Sequence, residues 1–187
     1  MATSSVDWMS AGSGKASGAV DYYLKIPTIN GEALAKGFEQ QIAVDAFSFD
    51  VEQTLNIGSQ SSGAGAGKIT FNPFMIKKHY DTSSPKLFQA ACVGQAFPSA
   101  TFSIVKTGSG SKDGTSAPKP YIVVSFGLIA VKTITLQTID AYPVEIIAFE
   151  YGEVNFQYST MNLTTGALTA ATKFGWDRVK NVSWSPS

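Results

Sequence analysis

The sequence predicts a mainly β fold with one short helix. Short segments with apolar residues at period two, or in brief continuous runs, recur along the chain; turn-forming residues separate them; and only one stretch carries apolar residues at helical spacing. With 187 residues, of which 44% are apolar and 12% aromatic, the chain is long enough to bury the core of one domain.

Residues 1–20 are rich in Ser, Gly and Ala and read as a flexible leader, with a single domain expected over residues 21–184. The first strand is Asp21-Tyr-Tyr-Leu-Lys-Ile26, turned by Pro27 and the Asn30-Gly31 pair. Residues 42–51 alternate with a slip in phase: Ile42, Val44 and Ala46 lie on one face, then Phe47, Phe49 and Val51 on the other. A bulge near Asp45-Ala46 would reconcile the two. Residues 68–76 place Ile69, Phe71, Pro73 and Met75 in phase, and Pro73 implies an edge position or a break. Ser84-Pro85 opens a helix over about residues 84–93, and Gly94 stops it. Its expected apolar face is Leu87, Phe88, Ala91 and Cys92, which puts Cys92 on the buried side as a small inert hydrophobe. A helix this short needs a sheet to dock on.

Beyond the helix, residues 100–105 align Phe102 and Ile104. Residues 121–131 are apolar on both faces, as in a strand covered twice, and residues 132–139 alternate again with Ile134 and Leu136. Residues 144–158 form a long strand with Gly152 inviting a bend, and Phe174 with Trp176 marks the last strand. Two long loops, 56–67 and 107–120, hold little apolar material and are candidates for function.

Composition excludes several classes. The 14 basic and 14 acidic side chains cancel, which argues against electrostatic binding to nucleic acid or to an anionic membrane surface. One cysteine and one histidine exclude an internal disulfide and a His-rich metal centre. No apolar run approaches the ~20 residues that span a bilayer, and Met1 to Ser10 has neither the basic nor the apolar region of a secretory signal.

No motif selects a reaction. The stretch Gly63-Ala-Gly-Ala-Gly-Lys-Ile-Thr70 lacks two requirements of a phosphate loop, since Ser62 and Ile69 stand where glycine and Ser/Thr belong, and it leads into a strand instead of a helix. Gly108-Ser-Gly-Ser-Lys-Asp113 misses the last glycine of a dinucleotide fingerprint. His79 has no second histidine or serine elbow to work with. Asp45, Asp50, Glu145, Glu150 and Glu153 read as solvated strand faces, and Lys77, Lys78 and Lys86 as an exposed turn. Asn162-Leu-Thr164 and Asn181-Val-Ser183 match the glycosylation sequon without a secretory context. The expectation is a protein with no catalytic residues, metal or cofactor.

Several segments, in order, resemble the Hcp family, the haemolysin-coregulated tube protein of bacterial type VI secretion systems. Residues 21–32 are similar to its opening strand and turn, and residues 42–51, with Phe47-Ser-Phe49, to its second strand entering an extended loop. The most specific piece is the lysine pair Lys77-Lys78, then Ser84-Pro-Lys-Leu-Phe88 and a short helix closed by Gly94. Residues 150–158 resemble a late strand of the family, and Phe174-Gly-Trp-Asp177 with Lys180-Asn181 its C-terminal signature. The leader and the two long loops depart from the pattern.

The resemblance implies a small β-barrel of two antiparallel sheets flanked by one short helix. It implies a homohexameric ring, rings stacked into a hollow tube inside a sheath behind a spike, and effector proteins carried in the lumen. It further implies assembly in the bacterial cytoplasm followed by secretion through the apparatus, with no nucleic acid and no membrane insertion. On that basis Gln53, Leu55, Asn56, Ile57, Ser59, Gln60 and Lys68 are the candidate ring-stacking loop. Tyr121, Val123 and Ile129 are candidates for subunit contact, although a buried central strand would explain them equally well. The competing reading is a carbohydrate- or ligand-binding β-sandwich using Tyr22, Tyr23 or Trp176 as a stacking platform.

Overall fold

A computed structural model of the chain describes residues 20–54, 69–106, 117–160, 168–169 and 171–186. The expected leader falls outside these residues apart from Val20, which opens the first strand. In order, the elements are β1 Val20–Lys25, β2 Ile42–Val44, β3 Ala46–Ser48, β4 Val51–Gln53, β5 Ile69–Phe71, β6 Phe74–His79, α1 Ser84–Val93, β7 Ala96–Lys106, β8 Ile122–Ile139, β9 Tyr142–Tyr158, β10 Thr172–Asp177 and β11 Val182–Ser183. The chain is mainly β with one short helix at 84–93, and every strand pairing is antiparallel.

The two expected segments at 121–131 and 132–139 are one strand, the 18-residue β8, joined by a tight turn to the 17-residue β9. The first half of β8 pairs with β7, which continues through β1 to β2, while the second half of β9 pairs with β10 and then β11. The other halves of β8 and β9 extend into a second layer, where β9 pairs with β6 and β6 with β3. β2 and β3 join the layers. β2 pairs with β1, Asp45 passes its N–H to the Lys77 carbonyl at 2.8 Å, and β3 then pairs with β6. The phase slip in the sequence is this change of partner, which buries Ile42 and Val44 before it and turns Phe47 onto the core after it.

The interior is aromatic. Phe74 has ring centroids of Phe126 at 4.8 Å, Phe102 at 5.1 Å and Phe149 at 6.3 Å, and Phe47 lies 4.8 Å from Phe102. Pro73 breaks the strand as expected, but it also resets the phase. Phe74 and Ile76 are buried, whereas the sequence pattern put Met75 on the inner face with Ile69 and Phe71. Gly152 lies opposite Leu128, and it is Leu128 that takes the left-handed backbone, at φ 51°. A Cβ at position 152 would sit 3.3 Å from that of Leu128, a tight contact that the glycine avoids.

The helix buries Ser84, Leu87 and Ala90, a line at spacing three along one side, and Gly94 closes it in a left-handed turn at φ 64°. Phe88 and Cys92 are exposed, against expectation. The helix meets the barrel along a narrow line beside β8, so only every third residue is covered.

Lys77 and Lys78 are likewise not a solvated cluster. Both are buried, and Lys78 has no exposed surface. Lys78 and Glu145 face each other across the β6–β9 ladder, one step beyond the apolar pairs Phe74–Phe149 and Ile76–Ile147. The Lys78 ammonium sits 2.9 Å from Glu145 Oε2, 2.8 Å from Asp81 Oδ1, 2.9 Å from Ser84 Oγ and 2.8 Å from the His79 carbonyl. Ser84 Oγ in turn donates to Glu145 at 2.5 Å. Asp81 accepts from the Ser83 N–H at 2.9 Å, at the start of α1, where the helix dipole favours the second carboxylate. Glu145 is therefore a buried ion-pair partner and not a solvated strand residue.

Two outcomes follow for stability. Lys78→Met leaves Glu145 and Asp81 without their cation, and urea unfolding is expected to show a loss of about 3–5 kcal/mol. Adding Glu145→Gln to it should recover part of that loss. Leu87→Asp buries an unpaired charge under the helix, so a loss of about 3–4 kcal/mol in the same measurement is expected, and an unchanged midpoint would contradict the observed packing.

Candidate functional site

Two surfaces stand out once the core is accounted for. The first is the β4–β5 hairpin. It pairs Val51 with Phe71, Glu52 with Thr70 and Gln53 with Ile69, as a two-stranded sheet separate from the main one. Its base is held by side chains. Asn72 Nδ2 donates to the Asp50 carboxylate and, at 3.4 Å, to Glu52 Oε1. Tyr151 Oη donates to the Asn72 carbonyl at 3.2 Å. Phe49 sets its ring edge-on to Phe156 with centroids 4.9 Å apart, and 5.7 Å from Tyr151. Burial pushes the Tyr151 phenol above its ordinary value, with Arg178 opposing, so the hydroxyl remains a donor throughout the neutral range.

Gln53 stands exposed at the far end of this hairpin. The other residues expected in the stacking loop, Leu55, Asn56, Ile57, Ser59, Gln60 and Lys68, lie outside the described residues. Between the hairpin and the outer strands of the main sheet is a cavity of about 400 Å³ lined by apolar side chains, among them Phe49, Val51, Ile69, Phe156, Phe174 and Trp176. Phe156 and Phe174 are directly paired on the ladder, and Phe174 is 64% exposed, so an apolar strip runs out of the cavity onto the surface.

The second surface is the start of β8. Tyr121 and Val123 are half-buried there. Tyr121 packs against Tyr158 with centroids 6.5 Å apart and beneath the Lys106 ammonium at 5.5 Å, and burial raises its phenol pKa. Ile129 has no exposed surface and belongs to the core, so it is not available to a neighbouring copy. Its strand is covered on that face, the alternative left open by the sequence.

The three aromatic residues considered for a stacking platform are dispersed. Tyr22 is in the aromatic core region, 5.3 Å from Phe47; Tyr23 stacks on Phe38 at 4.5 Å; Trp176 lines the cavity and stacks on Phe174 at 6.3 Å. His79 Nε2 lies 3.6 Å from Asp45 Oδ2, and Glu150 is shared by Lys132 at 2.6 Å and Arg178 at 3.4 Å. No group of three or more His, Cys, Asp or Glu side chains is placed to hold a metal ion among the described residues, and no helix there is long and apolar enough to cross a membrane. The sequence did not single out Asn72, Tyr151 or Arg178. Their importance depends on contacts between segments far apart in the chain.

A family model described as "Type VI secretion system effector, Hcp" matches residues 23–158. Among solved structures, the chain is similar to a type six secretion system protein at TM-score 0.78 and 25% identity, over 89% of this chain and 100% of that one. It is similar to Hcp1 from Salmonella typhimurium at TM-score 0.70 and 19% identity, over 89% and 100%. A type VI secretion system effector from Yersinia pestis matches at TM-score 0.65 and 20% identity, over 84% and 99%. No curated protein sequence matches the chain.

The Glu150 site gives a pH prediction. Burial raises its pKa, but hydrogen bonds and charges from Lys132 and Arg178 outweigh this and hold it below the usual carboxylate range. A lowered folded-state pKa stabilises the fold above the unfolded value near 4.3 and ceases to do so as pH falls through the lowered one. The difference in urea midpoint between the parent chain and Glu150→Gln should accordingly be present at neutral pH and shrink progressively as pH falls below the ordinary carboxylate range.

Proposed function

Because the chain belongs to the type VI secretion Hcp family, we propose that it is a structural tube subunit: six copies close into a ring, and rings stack into a hollow tube that carries effector proteins in its lumen and is expelled through the apparatus. The observation that carries this reading is the family match over residues 23–158, which runs from within β1 to the end of β9 and takes in the helix and every strand except β10 and β11. The sheath, the spike and the effectors are then its partners, the cytoplasm its place of assembly, and residues 21–184 one domain. It acts through its surfaces and performs no catalysis.

The physical features agree with that role. A ring is a closed heterologous contact and stacking is an open one, so one subunit needs two different pairs of complementary surfaces. The hairpin and the start of β8 are separate surfaces that supply apolar material outside the core. Zero net charge allows like subunits to approach without mutual repulsion. In this reading Gln53 and the residues that follow it meet the next ring, while Tyr121 and Val123 meet the neighbour within a ring.

Light scattering after size exclusion should give a mass of about 119 kDa, six times the 19.8 kDa chain. A strict monomer at high concentration would overturn the proposal. Deleting residues 56–66 should leave this mass unchanged and abolish sedimentable stacks. Loss of folding on that deletion would assign the loop to the barrel core instead.

A further inference from the structure

The β4–β5 hairpin continues the β3–β6 pair past Pro73 through one backbone bond, from the Asn72 N–H to the Asp50 carbonyl at 3.2 Å, and beyond that point its two strands pair only with each other. Close packing is confined to its base, where Phe49 and Phe71 meet the core, since a cavity of about 400 Å³ lies between it and the outer strands of the main sheet. The angle at which it leaves the surface therefore depends on the few contacts made at its base.

We infer that Arg178 is that positioning residue: its guanidinium is wedged between Phe71 of the hairpin and Tyr151 of the barrel. The carbon at its centre is 5.3 Å from the Phe71 ring and 4.7 Å from the Tyr151 ring. Nη1 donates to the Tyr151 carbonyl at 2.6 Å and lies 3.4 Å from Glu150 Oε2, while Lys132 holds the other oxygen of that carboxylate, Oε1, at 2.6 Å. The backbone carrying it is fixed as well. The Arg178 N–H donates to the Gly152 carbonyl at 2.9 Å, and the Asp177 carboxylate accepts the N–H groups of Val179 at 2.9 Å and Lys180 at 2.8 Å.

Arg178 is the only arginine among 14 basic residues. The chemistry explains the choice. A planar, weakly hydrated guanidinium can lie between two rings and still direct N–H groups to a carbonyl and a carboxylate, which a lysine ammonium cannot do. Residue 178 also lies past the matched residues 23–158, so the family match assigns it no role. It holds Phe71 from the barrel side, and Phe71 is the residue immediately before Asn72, whose carbonyl Tyr151 also holds. Tyr151 thus supports the hairpin twice, once through Arg178 and once directly.

If the hairpin meets the next ring, a reading this inference takes from the function proposed above, Arg178 sets the height and angle of that contact without being part of it. Amide hydrogen exchange on Arg178→Met, carried out on the full chain, tests the positioning directly. Exchange at residues 51–53 and 69–71 is expected to rise at least 10-fold, while amides of β7, β8 and β9 exchange as before. Phe71→Leu, which keeps Arg178 but removes its ring partner, should give the same local rise, and the double variant no further increase. Unchanged hairpin exchange in either variant, or a rise of equal size in the β7–β9 amides, would overturn the inference. Should Arg178→Met fail to fold, Phe71→Leu alone decides it. The mass of the parent chain reads ring formation independently, so failure of the tube reading and failure of the Arg178 assignment remain distinguishable.

Discussion

Every other feature depends on the antiparallel ladder of β8 and β9. Strands of 18 and 17 residues are about three times the usual length and reach on the order of 55–60 Å if fully extended. A ladder that long cannot remain straight across a small barrel. It bends in two places, at the register shift between Val131 and Thr133 and at Leu128 opposite Gly152. Those bends allow one pair of strands to belong to both layers. β7 and β10 pair with one half, β6 pairs with the other, and the β2–β3 segment crosses between layers at Asp45. The aromatic core fills the angle so formed, which is why Phe74 touches rings from β7, β8 and β9 at once.

At one end the core stops in charge. The column of inward pairs on β6 and β9 passes from two phenylalanines to two isoleucines and then to Lys78 and Glu145. A buried ion pair contributes little net stability, but leaving either partner alone is costly. Its geometry is tied to strand register. A one-residue slip of β6 against β9 would separate the two charges and also detach Ser84 and Asp81 from the ammonium. The pair thereby ties strand register to the position of α1, whose own apolar face is only one line of residues wide.

Much of this was legible in the sequence, and where it was not, the cause is physical. Period-two patterning located the strands, and Ser84-Pro85 with Gly94 located the helix, because these are local rules. The phase slip at Asp45 was visible, but the change of sheet behind it was not, since alternation says which face is apolar and not which strand is the partner. Lys78 and Glu145 were read as solvated because their burial depends on each other across 67 residues of chain. Phe88 and Cys92 were read as buried because helical spacing identifies an apolar stripe without showing how much of it a neighbour covers. Ile129 was a correct apolar residue with two roles open to it, and only the packing assigned it to the core. Arg178 carried one signal, its rarity in this chain, and its meaning required Phe71 and Tyr151 to be placed beside it.

The same fold bears on the proposed assembly. The core is built within one chain, so the apolar strip at Phe174 and the exposed hairpin lie outside it, and in the proposed function they are the surfaces offered to other copies. Negative-stain images of the purified chain, averaged by class, test that claim most directly. Closed rings with six-fold symmetry and a central opening are expected, stacking face to face as concentration rises. Uniform particles the size of a single barrel at every concentration would contradict it.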